Sequence, residues 1–446
     1  MNAAGTETLD LLAFDEAVAA LDRGGCLWLG LSGGRDSIAL LHILHERFGG
    51  ALGGRLRAIH VHHGLQAAAD DWASFCERSC ERLGVAAQVE PVAVDQASAE
   101  GPEGAARHAR YAAFERVLNP GDVLALAHHR ADQAETLLLR LFRGTGISGL
   151  AAMQPWSGRA HFHVWRPLLA TPRSVIEAYA RQRRLTWVDD PHNEDDRYDR
   201  VAVRSRLWPA ILQRWPQAEG ALARTAHLAA ETQALLNDLA SIDLEGLTID
   251  GQPSVRASLA LSEPRRRNAL RLWLRRQGVP MPDASIWPVI GRELLRAAQD
   301  AAPVVTLGAY ELRRYRDAIH LIPGLPMPGA WTCEWDGREA LRLPPGCGFL
   351  EFNPVPDDCR LTVSFARGGE RLRPSGAAHT RSLKNLFQES ATPPWERQRT
   401  PLLWLDGELV AVADRWISES FRGRLAQSGM QLVWRRGAPT QGESPL

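Results

Sequence analysis

The chain is almost without lysine: of its 52 basic residues only Lys384 is not an arginine. A Walker-A loop needs its Gly-Lys-Ser/Thr lysine and protein kinases need a strand lysine, so both nucleotide-binding designs are excluded. Cysteine is scarce too. The six, at 26, 76, 80, 333, 347 and 359, contain no C-x-x-C pair, which removes the usual redox motif and the zinc ribbons. Cys76 and Cys80, four apart on an expected helix, read as small core side chains. Residues 1–20 carry acids and no basic residue, unlike a signal or transit peptide, and no apolar run approaches the ~20 residues of a bilayer-spanning helix. A cytoplasmic protein is expected. Formal net charge is zero, so partners must be judged from where the arginines cluster.

What is present begins at Cys26, where an apolar run breaks into Ser32-Gly33-Gly34-Arg35-Asp36-Ser37 and then into Ile38-Ala39-Leu40-Leu41. This reads as a buried strand, a phosphate loop and a helix. Adjacent glycines let the backbone approach an anion, Ser32 and Ser37 add hydroxyl donors, and the helix start aims its free N–H groups at the same point. Asp36 would repel phosphates there unless a Mg²⁺ ion sits between them. Ser-Gly-Gly-x-Asp-Ser is the pattern of the PP-loop ATP pyrophosphatases, which this segment resembles. That resemblance implies cleavage between the α- and β-phosphates and an adenylated intermediate.

From Cys26 to about Val188 apolar strands alternate with helical periods: strands at 56–61, 85–92 and 123–126, helices near 68–83, 104–117 and 131–142. Alternating βα units imply an α/β, Rossmann-like parallel sheet with ligands at the carboxyl ends of its strands. Thr171-Pro172 predicts a hydroxyl cap followed by proline at the first helical position. The acidic run 189–199 closes this domain as a solvated loop. We expect a catalytic domain over 1–207, a helical domain over 208–323, a Pro/Gly-rich linker over 324–357, a small α+β domain over 358–436 and a tail over 437–446.

Several clusters carry candidate chemistry. His60-Val61-His62-His63-Gly64-Leu65 follows the second strand; a ligand-proximal loop there, with His60 and His62 at the nucleotide, competes with a metal site, which usually needs carboxylates or cysteines as well. Arg107, Arg110 and Tyr111 share a helical face. In a chain without lysines such arginines must meet phosphate charge, or they are ordinary surface charge. His128-His129-Arg130-Ala131-Asp132-Gln133-Ala134-Glu135-Thr136 spans a strand end and a helix start. Asp132 and Glu135, three apart, either form a pocket for a cationic substrate or simply answer the helix dipole.

Two patches suit nucleic acid. Residues 264–276 hold six arginines and no acid, with Arg267, Arg271 and Arg275 recurring every four residues opposite an apolar stripe. They are either a solvated face or a phosphate track. Residues 365–388 combine Arg367, Arg371, Arg373, Arg381 and Lys384 with one acid, Glu370. Loops rich in Gly, Arg and Pro suit backbone contacts.

Taken in order, these segments resemble the bacterial tRNA(Ile)-lysidine synthetases, together with Arg143-Gly-Thr-Gly, Arg166-Pro-Leu-Leu and the C-terminal Gly-Gly-Glu-Arg, Arg-Ser-Leu-Lys-x-Leu-Phe-Gln, Pro-Pro-Trp and Gly-Glu-Leu-Val-Ala-Val runs. The chain departs from that pattern at Ala131, where the family has Asp, and at Val201, where it has Asn. The resemblance implies that ATP adenylates the C2 oxygen of the wobble cytidine in the isoleucine tRNA with a CAU anticodon, and that free L-lysine then displaces AMP. Asp36 would hold Mg²⁺, Ser32 to Ser37 would seat pyrophosphate, Arg110 and His128 would face the phosphates, and Asp132 and Glu135 would bind lysine. Two rivals stand beside it: a PP-loop tRNA thiolase, against which the scattered cysteines argue, and a non-catalytic nucleotide-dependent tRNA-binding protein. No membrane partner is expected, and monomer and homodimer are both left open.

Overall fold

The computed structural model describes residues 11–64, 68–94, 101–189, 199–298, 301–355 and 359–436. Leu65 and Gln66, most of the acidic loop (190–198) and the tail lie outside these. Two compact units divide at Leu236/Asn237.

The first unit is a six-stranded sheet in the order β3-β2-β1-β4-β6-β5. Its strands are β1 (Leu27–Gly30), β2 (Leu56–His62), β3 (Ala86–Pro91), β4 (Val123–Ala125), β5 (Trp156–Arg159) and β6 (Phe162–Trp165). All pairs are parallel except the edge hairpin β5/β6. Helices α1 (Phe14–Leu21), α2 (Arg35–Phe48), α3 (Ala69–Glu81), α4 (Gly101–Val117), α5 (Arg130–Phe142), α6 (Ile147–Leu150) and α7 (Arg173–Gln182) complete the fold up to the acidic loop. The central strands show why both faces are covered. Leu27 and Leu29 enter one apolar cluster and Trp28 the other; Val123 and Ala125 join the first and Leu124 the second. Alternate side chains of one strand face opposite layers, so a strand apolar on both parities needs helices on both sides.

Chain order reverses between β1 and β4, because β2 and β3 lie on one side of β1 and β4 on the other. Such a switch point opens a crevice at the strands' carboxyl ends. The loop after β1 and the His128–Asp132 turn after β4 therefore face the same crevice. Asp122 anchors this pair of strands. It is 3% exposed, and its carboxylate accepts from the Cys26 N–H (2.8 Å), the Trp28 indole (3.0 Å) and the Asn119 N–H (2.9 Å). Asp122→Ala leaves three donors without their acceptor, so we expect a loss of about 3 kcal/mol or more in urea unfolding; a loss under about 0.5 kcal/mol would show that water replaces the carboxylate.

The expected cap of α7 is corrected. Pro172, extended at ψ 143°, is the N-cap itself and makes no side-chain cap. Thr171 instead lends its carbonyl to the Arg130 N–H at 3.0 Å, tying α7's entry to the start of α5. Beyond the acidic loop, α8 (Asp199–Ala202) runs through a π-helical turn, Val203–Leu207, into α9 (Trp208–Arg214), and α10 (Ala218–Leu247) crosses the boundary between the units.

In the second unit the helix Glu263–Arg276 packs Leu270, Trp273 and Leu274 into a core shared with the antiparallel strands Val304–Leu307, Tyr310–Tyr315 and Ala318–Pro323. The described residues 324–355 of the expected 324–357 linker are instead built into the last domain. Thr332–Trp335 pairs with Leu361–Phe365, and Phe349–Asn353 pairs with Gln431–Arg435. Proline and glycine there mark turns between short strands, which composition cannot tell from a linker. No described helix is long and apolar enough to cross a membrane.

Candidate active site and nucleic-acid faces

Three contacts shape the phosphate loop. Gly33 has φ +83°, a conformation only glycine adopts without strain, and an added Cβ would stand 3.2 Å from the Cys76 sulfur. Its carbonyl accepts the Val188 N–H at 3.0 Å. The Ser37 hydroxyl donates to the Gly34 carbonyl at 2.8 Å and lies 3.1 Å from that of Ser32, so both hydroxyls gather at the start of α2, where Gly34 is the N-cap. Arg35 turns its charge inward, with Nε 3.4 Å from the Asp36 carboxylate. Its guanidinium is held by Glu177 on α7 at 2.8 Å.

Asp36 meets the other side of the crevice through His129. The His129 ring lies between two carboxylates, with Nε2 3.6 Å from Asp36 and Nδ1 3.5 Å from Asp132. Asp132 closes a capping box on α5, accepting the His129 N–H at 3.0 Å. Burial opposes the charge on Asp36, but the hydrogen bond and charge of His129, with Arg35 and Arg173, outweigh it and hold the carboxyl below its usual range. Burial likewise works against a protonated His129, and the two carboxylates overcome it and raise its pKa. The contact is therefore fully made below His129's ordinary value of about 6.5 and fades as pH rises through the raised one. His129 was missed as a site residue; the doubled histidine was the available signal, but sequence does not say which ring faces inward.

His128 behaves oppositely. Burial, with Arg166, Arg110 and Arg200 against the counter-pull of Asp132, pushes it down to about 3, so it is neutral at pH 7. Arg110 also lowers His63, which burial first of all brings to about 4. Arg110, His63 and His128 thus form one neighbourhood.

Glu135 is 1% exposed and fully engaged. Arg204, in the π-helical turn, grips it with two hydrogen bonds of 2.8 and 2.9 Å and reaches Asp132 at 3.5 Å; Arg200 approaches it at 3.4 Å and donates to Thr136 at 2.8 Å. The two carboxylates do share one face, and two arginines already balance their charge. Arg200 and Arg204 lie some seventy residues away in sequence, so spacing on α5 could not reveal them. Ala131 is buried.

The other expected histidines have partners of their own. His60 is buried under the loop, its Nδ1 2.8 Å from the Leu31 carbonyl, and supports the end of β1. His62 faces Asp70 at 3.0 Å. Among the described residues no group of three His, Cys, Asp or Glu side chains could hold a metal ion. Burial raises the Cys76 and Cys80 thiols to about 12 and 11, so neither is a nucleophile at neutral pH.

On the helix Glu263–Arg276, Arg265 pairs with Asp243 and Arg276 meets Ser241 at 2.9 Å. Arg267, Arg271 and Arg275 make no ion pair with a described residue. Burial, and then the charges of Arg267 and Arg275, lower Arg271, which stacks 5.1 Å over Trp287. Uncompensated like charge on one face favours the phosphate-track alternative. In the last domain Arg371 and Lys384 are exposed and Arg373 donates to the Ala377 carbonyl at 3.1 Å. Arg381 is paired with Glu389 from the far end of the helix Leu383–Glu389, an acid one residue beyond the basic patch.

Comparison with known proteins extends over both units. Residues 11–211 match the PP-loop domain, 254–320 the TilS substrate binding domain and 361–434 the TilS substrate C-terminal domain. The tRNA(Ile)-lysidine synthase of Xanthomonas axonopodis pv. citri (strain 306) is 42% identical over 419 residues, covering 93% of this chain and 95% of its own. The chain belongs to the tRNA(Ile)-lysidine synthase family. Synthases of that name from Alkalilimnicola ehrlichii and Vibrio cholerae serotype O1 (strain El Tor Inaba N16961) are 40% and 39% identical, covering 97% and 91% of this chain and 98% and 93% of theirs. Family membership thus takes in the basic helix and the last domain as well as the phosphate loop.

Proposed function

We propose that the chain ligates lysine to the wobble cytidine of the CAU-anticodon isoleucine tRNA. The cytidine C2 oxygen attacks the α-phosphate of ATP, pyrophosphate leaves, and the lysine ε-amine displaces AMP and loses a proton to give lysidine. One observation carries this reading. His129 joins the phosphate-loop carboxylate, Asp36, to the acidic helix of Asp132 and Glu135 across the crevice at the switch point, so an activated phosphate and an incoming amine can meet there.

The loop's hydroxyls and the α2 N-terminus bind the phosphates. Mg²⁺ fits Asp36, because this ion is typically held by one or two carboxylates plus substrate phosphates, and Asp36 is kept ionised with its side chain 28% exposed. When bound it would neutralise charge building on the departing pyrophosphate. Neutral His128 adds no charge against the incoming ammonium. That ammonium, with a pKa of ~10.4, costs about 4.6 kcal/mol to deprotonate at pH 7. Asp132 and Glu135 draw it in, while Arg200 and Arg204 offset part of their charge, so the pocket does not lock the amine in its protonated form.

Arg267, Arg271, Arg275, Arg371, Arg373, Arg381 and Lys384 would contact the tRNA, and the reaction would take place in the cytoplasm. Lysine differs from arginine in offering a compact ammonium, and Lys384 makes no ion pair with a described residue. Lys384→Arg is expected to weaken tRNA modification several-fold with ATP binding unchanged; equal tRNA affinity and turnover would mark Lys384 as a compositional leftover. The decisive experiment incubates the protein with ATP, labelled lysine and the tRNA. Label in the tRNA is expected. Its absence overturns the proposal, and sulfur incorporation instead would establish the thiolase reading.

A further inference from the structure

Of the arginines around Tyr111, Arg159 lies 4.2 Å from its ring and is paired with Glu115 at 3.0 Å, but three others have no carboxylate to answer them. Arg107 lies 4.9 Å from the Tyr111 ring, with a terminal nitrogen 3.4 Å from its hydroxyl. Arg166, directly after β6, is only 7% exposed. Its Nη1 donates to the Gln154 carbonyl at 2.9 Å and the Ser157 hydroxyl at 3.3 Å, while its buried Nε has no hydrogen-bond partner. Arg140 on α5 donates only to carbonyls, those of Gly149 and Ala152 at 3.1 and 2.9 Å. None of Arg107, Arg140 and Arg166 makes an ion pair with a described residue. They are close enough to disfavour one another's charge, the effect of Arg107 being felt at both Arg140 and Arg166. Holding three guanidinium groups together, one of them buried, is costly without an anion between them.

We infer that Arg107, Arg140 and Arg166 form a second phosphate site, separate from the loop at Ser32–Ser37, which takes a backbone phosphodiester of the polynucleotide beside the reacting cytidine. The nucleotide's own phosphates are the other source of this chemistry. Strand order argues for the polynucleotide: β6 is two strands from β1, about 10 Å at the usual spacing, so phosphates seated on the loop stand away from Arg166. Guanidinium groups pair with phosphate oxygens through two parallel hydrogen bonds, and such contacts fix a nucleic acid's register. The inference rests on the proposed tRNA substrate and adds to it where that substrate is gripped near the chemistry.

The test uses the full chain with Arg107→Gln, whose side chain is exposed, and Arg166→Lys, which keeps the buried charge. Binding of an anticodon stem-loop RNA is measured across a salt series, and ATP binding is measured separately. For Arg107→Gln we expect affinity lower by about five- to ten-fold, a salt slope flatter by about 0.7 to 0.9, and unchanged ATP affinity. Arg166→Lys should weaken RNA binding with the slope kept, because it loses the fork but not the charge. Weaker ATP binding with RNA affinity intact would give the cluster to the nucleotide and overturn the inference. RNA binding and slope unchanged in both variants, with the fold intact by circular dichroism, would overturn it as well. Wild-type protein that fails to bind the stem-loop would instead remove the polynucleotide reading on which it rests.

Discussion

Asp36→Asn should cut ATP-dependent pyrophosphate release by about 100- to 1,000-fold, the scale on which a single preorganised electrostatic contact acts, while tRNA binding stays at wild-type affinity. The amide preserves shape and removes charge. It takes away the carboxylate suited to Mg²⁺ and the partner that, with Asp132, raises the pKa of His129. Thermal unfolding should change little, because the Asp36 side chain is 28% exposed and surface pairs contribute only ~0–1 kcal/mol. Release of pyrophosphate at near wild-type rate with Mg²⁺ present would show that the metal role is misassigned.

Glu135→Gln should raise the lysine requirement by roughly 30- to 100-fold, the equivalent of about 2–3 kcal/mol for a charged hydrogen bond lost in a buried site, with the ATP requirement unchanged. Asp132→Asn should act in the same direction. An equal effect on both substrates would move these residues to the nucleotide site or to helix capping, since Asp132 also closes the capping box with His129. Arg204 supplies the complementary test. Removing its charge in Arg204→Gln leaves Glu135 and Asp132 less compensated, so lysine should bind more tightly as an ammonium and give up its proton less readily. A higher pKa for the bound amine requires higher pH to free it. The ligation step should therefore shift its pH profile towards alkali while KM for lysine falls. A profile that does not move would mean that Arg204 only supports the fold.

Much of the catalytic domain was legible because its signals are local. An apolar run followed by Ser-Gly-Gly-x-Asp-Ser requires a strand, a tight turn and a helix within a dozen residues, and β1, the Gly33 turn at φ +83° and α2 follow that order. Charge patterns that depend on distant partners were not legible. Arg381 counted as a free cation until Glu389 stood beside it, and Glu135 as an open carboxylate until Arg200 and Arg204 closed on it, while the pairing of Arg35 with Glu177 has no local signal at all. The linker expectation failed for a related reason: short strands such as Thr332–Trp335 gain their identity from a partner strand, here Leu361–Phe365.

Sequence by itself determined the kinds of element, their order, the phosphate loop and the family pattern, because these rest on periodicity, turn chemistry and residue types within a few positions of each other. Only the tertiary structure decided which histidine faces Asp36, which arginines balance the acid pair, and which of the guanidinium groups near Tyr111 are left without a carboxylate. Ion pairing and burial depend on distances between residues that chain order leaves unconstrained, and in this protein the reversal of strand order between β1 and β4 brings them to one crevice.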